Sequence, residues 1–146
     1  MKSVTDVFVR DDGGRAEAGY RGTTGDCACR AVAIVAERPY QEVYDELIEF
    51  ARLERPRGKR QRSHPRTGYW SETLKRYLAE HGFTWTPTME IGSGTKVHFK
   101  ADEMPNGRLV VRLSRHYTAM VDGVIHDTFD ASREGTRCVY GYWTAP

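Results

Sequence analysis

The sequence predicts an α+β fold in which a buried central helix packs on an antiparallel sheet. Three observations carry that reading. Apolar residues at helical spacing occupy the stretch from Cys27 to about His81. Short β-rich runs separated by turn residues occupy Phe83 to Trp143. Between two of those runs, Asp122-Gly123 is a strong two-residue hairpin signal. Helices first and strands second is an α+β order.

In chain order, Val4 to Arg10 reads as a short strand ended by Asp11-Asp12-Gly13-Gly14. Gly19 to Gly25 carries three glycines in seven residues and reads as irregular. Asp26 is placed to N-cap a helix starting at Cys27, apolar on nearly all sides through Val32, Ile34, Val35 and Ala36. Arg38-Pro39 ends it. A second helix, Tyr40 to Leu53, carries an apolar stripe of Val43, Leu47, Ile48 and Phe50. A third runs from Ser71 to about His81, with Leu74, Tyr77 and Leu78 on its face and Gly82 as its stop. Residues 55–68 between them read as an exposed loop, broken by Pro56, Gly58 and Pro65. Strands are expected at Phe83–Thr86, Arg108–Leu113, Tyr117–Val121, Val124–Phe129 and Cys138–Trp143, with a short uncertain one at Lys96–Phe99 and a loop over Pro87–Gly94.

A chain of 146 residues is one domain's worth, and it buries about two thirds of the surface its unfolded form exposes. With 11% aromatic residues and a net charge of only +2, it does not belong to the disordered class. The same balance of 22 basic and 20 acidic residues argues against nucleic-acid binding over the whole surface. No apolar run approaches the ~18 residues of a membrane span. Charges near the N-terminus stand where an apolar signal core would be, so a cytoplasmic location is expected. Three cysteines, Cys27, Cys29 and Cys138, imply free thiols in a reducing compartment.

Cys27 is the candidate nucleophile. It follows a glycine-rich loop and opens a helix, whose free N–H groups and partial positive charge favour a thiolate and can hold an oxyanion. A thiolate nucleophile also needs an imidazole. If Val121 pairs with Val124, Ala119 opposes His126 and Thr118 opposes Asp127. His116, Thr118 and Asp127 then share one face, with His116 and Asp127 diagonal neighbours at roughly 7–8 Å between backbones. That pairing puts His126 and Asp130 on the other face. Cys29, about 200° further round the helix, should face the core, and Cys138 should pack within a strand. His64, His81 and His98 read as surface residues.

These residues resemble a known superfamily. Gly25-Asp26-Cys27-x-x-Arg30-Ala31 opens a helix, and Ser114-Arg115-His116-x-x-x-Met120-Val121-Asp122-Gly123-x-Ile125-x-Asp127-Thr128 follows at a distance. Together they resemble papain-like cysteine peptidases, more closely small bacterial and phage-associated proteins of that fold. The resemblance implies Cys27 as nucleophile, His116 as general base and acid, and Asp127 as the group orienting His116. It implies a peptide or amide substrate and no metal or organic cofactor. In papain-like enzymes a glutamine stands about six residues before the cysteine; here that residue is Arg21. Thr23, Thr24 or a backbone N–H near Gly25 must then supply the oxyanion donor.

Other readings stay open. A non-catalytic relative could use Arg55, Arg57, Lys59, Arg60, Arg62 and Arg66 to bind nucleic acid or an acidic protein, with Tyr69 and Trp70 available for stacking. The same loop could border the cleft and recognise acidic or C-terminal groups. A zinc site from Cys27, Cys29, His116 and Cys138 or His126 is disfavoured, because C-x-C spacing on a helix splays the sulfurs.

Overall fold

The helix expected at Cys27 is the axis of the architecture. A computed structural model describes residues 8–22, 24–89 and 96–146; Val4–Val7 of the first expected strand, Thr23 and residues 90–94 of the expected loop lie outside them. Helix α1 spans Cys27–Ala36 and is buried on almost every side. Its alanines let neighbouring elements approach closely, while Val32 and Val35 fill the space between them. It ends at Glu37, which takes a left-handed conformation with φ 55°. Helix α2 (Tyr40–Arg52) buries Val43 and Leu47 and leaves Ile48 and Phe50 at the edge of the core. Helix α3 (Ser71–Glu80) buries Leu74, Tyr77 and Leu78. Gly82, at φ 83°, accepts the left-handed turn that stops it.

The strands are β1 (Phe8–Arg10), β2 (Thr84–Pro87), β3 (Arg108–Leu113), β4 (His116–Val121), β5 (Val124–Asp127) and β6 (Gly141–Thr144). Among the described residues they form one sheet of order β1-β5-β4-β3-β6-β2. It is mixed, which corrects the antiparallel expectation: β1 runs parallel to β5. The helices intervene between these two strands, and a parallel pair needs such a long connection. The last strand also starts later than expected. Cys138 makes an isolated bridge to His98, and Val139 N–H donates to Val97 O at 2.8 Å, so 138–139 pairs outside the sheet before the chain turns into β6.

The hairpin folds as its sequence demands. Asp122 and Gly123 both have positive φ, 48° and 80°, and Val121 pairs with Val124 and Ala119 with His126. The sheet is covered on both faces. Helices pack on Val110, Ala119 and Trp143. On the other face Leu109, Val111, Met120 and Ile125 pack with Phe99, Met104 and Val139. No helix among the described residues is long and apolar enough to cross a membrane.

Gly141 is closely packed by its neighbours in the sheet. A β-carbon there would collide with the Trp85 ring and lie 2.9 Å from Thr86 O. Overpacking of this kind costs about 1–3 kcal/mol. Gly141→Ala is therefore expected to lower the melting temperature by roughly 5 °C. An unchanged thermal transition would mean that Trp85 can move aside without loss.

Candidate active site

The N-terminus of α1 meets the start of β4 at the surface, and there the three sequence candidates converge. Cys27 is the first residue of α1 and half-buried. His116 is the first residue of β4, and Asp127 the last of β5. His116 Nε2 lies 2.7 Å from Asp127 Oδ2. With Nε2 engaged, Nδ1 is the nitrogen left for the Cys27 thiol. The Thr118 hydroxyl donates to the same carboxylate oxygen at 2.7 Å, and Thr128 N–H donates to Oδ1 at 2.7 Å. Asp127 is thus held from both ends, which fixes the ring it orients.

The electrostatics follow from these contacts. Burial pushes the Cys27 thiol up. The hydrogen bond and charge of His116, the Tyr117 backbone N–H and the Arg30 charge outweigh it, and the thiol titrates below its ordinary value. Burial would lower His116, but its hydrogen bonds to Asp127 and Cys27 raise it to about 9. Burial would raise Asp127, but the His116 and Thr118 hydrogen bonds hold it below the usual carboxylate range. Each shift favours the charged form of its group: thiolate at Cys27, imidazolium at His116 and carboxylate at Asp127.

Cys29 is the contrast. It is fully buried, its Sγ faces Tyr40 O at 3.8 Å, and burial pushes its thiol up to about 12. His126 and Asp130 are engaged with other partners. His126 Nδ1 is 3.4 Å from Asp11 Oδ2, and Asp130 Oδ1 accepts Ser132 N–H at 2.9 Å. His64, His81 and His98 do not line the cavities at Cys27. Among the described residues no three His, Cys, Asp or Glu side chains converge as metal ligands.

Asp26 does not cap the helix. Its carbonyl accepts the first helical bond, from Arg30 N–H at 3.0 Å, but its side chain turns inward. There the carboxylate is fully enclosed, paired with Arg15 at 3.1 Å and with Arg30, and it accepts the Tyr40 hydroxyl at 2.7 Å. Two arginines and a phenol compete for it more strongly than an exposed backbone N–H. Arg15 also donates to Arg21 O at 3.0 Å and so ties down the loop before Cys27. Arg30 reaches on to Asp127 Oδ1 at 3.5 Å. This network links the glycine loop to the Asp127 carboxylate. The sequence reading missed it, because nothing local marks Arg15 or Tyr40 as partners of Asp26.

The expected oxyanion donors need correction. Thr24 Oγ1 donates to Arg66 O at 2.7 Å, so its one proton is committed to the 55–68 loop. Thr23 lies outside the described residues. The Arg21 side chain is exposed and lines neither cavity beside Cys27. Gly25 does line both, next to Cys27. The Asp26 side chain leaves the first turn uncapped, which makes the backbone N–H groups there, that of Cys27 among them, candidate donors.

Two cavities, of about 380 and 440 Å³, flank the Cys27–His116 pair. The first is walled by Trp70, Tyr69, Arg112 and Tyr140, the second by Tyr20, Thr128 and Phe129. Phe129, 49% exposed, sets its ring 5.1 Å from the His116 ring. The 55–68 loop borders the first cavity and is anchored to the body of the protein. Ser63 N–H donates to Glu54 Oε1 at 2.7 Å, Trp70 Nε1 donates to Gln61 O at 2.8 Å, and Arg60 stacks 4.0 Å from the Trp70 ring. No family model, curated protein or solved structure matches the chain.

Proposed function

We propose that the protein is a papain-like cysteine hydrolase that cleaves an amide bond through a thioester on Cys27. The observation that carries this reading is the 2.7 Å bond between His116 Nε2 and Asp127 Oδ2, which leaves Nδ1 toward a thiol already biased to its anion. The thiolate attacks the carbonyl carbon and forms the S–C bond. The His116 Nδ1 proton passes to the leaving nitrogen as the C–N bond breaks. Water then attacks the thioester carbonyl and gives a proton to His116; the S–C bond breaks, releasing the acid and returning Cys27 as the thiolate. Asp127 keeps its charge throughout and stabilises the imidazolium.

A module that binds nucleic acid through the basic loop fits less well. Arg57 and Arg60 turn toward Glu72, at 3.3 and 3.1 Å, so part of that charge is neutralised within the protein. The hydrolase reading is tested by iodoacetamide labelling over a pH series with mass mapping of the three cysteines. Cys27 is expected to react first at pH 6, while Cys29 stays unlabelled. Uniform slow labelling of all three would overturn the reading.

A further inference from the structure

We propose that the substrate carries a carboxylate close to the scissile bond, received by Arg112 and Arg115 in the cavity beside Trp70; this rests on Cys27 being the nucleophile. Six arginines in the described residues are at least half-buried: Arg15, Arg30, Arg38, Arg108, Arg112 and Arg137. Four have carboxylate partners. Arg15 and Arg30 hold Asp26, Arg38 holds Glu42 and Glu46, and Arg108 holds Glu37 at 3.1 Å. Arg112 and Arg137 have none among the described residues. Arg112 has instead an aromatic neighbour, its guanidinium 5.5 Å from the Tyr140 ring centre. Arg137 donates only to backbone carbonyls, of Ser114 and Ala131.

Arg112 shares a cavity with Cys27, whereas the cavity that Arg137 lines reaches His116 but not Cys27 and also holds Asp130. Arg112 lines the 380 Å³ cavity, and Arg137 a neighbouring one of about 550 Å³. Arg115 lines both, and the 440 Å³ cavity as well. It sits in the two-residue turn between β3 and β4, at φ 57°, one residue before His116. Among the described residues no carboxylate lines the 380 Å³ cavity. A half-buried guanidinium without a counter-ion is costly, and a planar carboxylate is the group that answers it with two hydrogen bonds. Of the arginines lining the 380 Å³ cavity, Arg60 is paired with Glu72, so Arg112 and Arg115 set the sign of the field that a substrate meets there.

The test compares iodoacetate with iodoacetamide at Cys27, at one pH and low ionic strength. The reference is the same ratio for free N-acetylcysteinamide. Both reagents report the same thiolate, so their ratio isolates the charge of the cleft. At Cys27 the ratio is expected to exceed the reference by about tenfold, the lower end of focusing by a cleft of one sign. It should shrink at high salt and fall most of the way to the reference in Arg112→Gln and in Arg115→Asn. Asparagine tolerates the left-handed turn, so the second variant keeps the result readable should the first fold poorly. Protection of Cys27 from iodoacetamide by acetyl-triglutamate amide, acetyl-triglycine acid and acetyl-triglycine amide then separates a side-chain carboxylate from a terminal one. Equal protection by the neutral peptide would overturn the proposal. So would fast iodoacetamide labelling with no anionic preference, which would leave the nucleophile intact. Slow labelling of Cys27 by both reagents would remove the nucleophile and the proposal together.

Discussion

Replacing His116 by alanine is expected to slow alkylation of Cys27 at pH 6 by about tenfold. Without the imidazolium, burial is the largest single influence left on the thiol and acts to raise it, so the thiol moves back toward its ordinary value. A thiol at the ordinary 9.0 is ionised at pH 6 in about one molecule in a thousand. A more basic thiolate is intrinsically more nucleophilic, by about threefold per pKa unit, which recovers most of the lost thiolate reactivity and leaves about a tenfold deficit. The gap should close with rising pH. In the wild type the imidazolium persists up to about 9, because His116 titrates there and not at 6.5. Above that pH the wild type loses its ion pair, while the variant's thiol ionises unaided, and the two rates converge. The same titration acts on stability. A histidine raised on folding stabilises the native state fully below 6.5, and the contribution fades as pH rises through about 9. Equal labelling rates at pH 6 in both proteins would show that His116 does not govern the thiol.

The parts of this site that could be read from the chain are those set by local rules. A glycine loop, an aspartate and an alanine-rich run fix where α1 begins, and therefore which cysteine heads it. The Asp122-Gly123 turn fixes the β4–β5 register, and period-two alternation then groups His116, Thr118 and Asp127. What escaped depends on distant segments meeting. The parallel seat of β1 beside β5 joins residues more than a hundred positions apart. So does the bond from Asp11 N–H to Asp127 O at 2.8 Å, which secures the end of the strand that carries the Asp127 carboxylate. Thr24 read as a donor to the cleft because no local signal places Arg66 O against it. Arg112 sits on a strand whose alternation gives its face but not that it lacks a counter-ion among the described residues.

Asp26→Asn is expected to lower the melting temperature by about 10 °C. Two accounts of Asp26 differ in magnitude, and the thermal shift separates them. An N-cap residue contributes about 1 kcal/mol, and asparagine caps as well as aspartate, so a capping role predicts almost no change. A fully enclosed carboxylate shared by Arg15 and Arg30 predicts far more, because losing its charge leaves two guanidinium groups under-compensated at low exposure. Breaking a buried pair from one side costs about 3–5 kcal/mol, and a domain of this size loses about 2–4 °C per kcal/mol. The substitution preserves volume, so a cavity cannot account for the loss. It also frees Arg15, which holds the Arg21 and Gly22 carbonyls at 3.0 and 3.4 Å. The loop ahead of Cys27 should then loosen, and the labelling selectivity of Cys27 over Cys138 should fall with stability. A melting temperature within about 2 °C of wild type would return Asp26 to a capping role, with the shape of its hydrogen bonds and not its charge holding the loop.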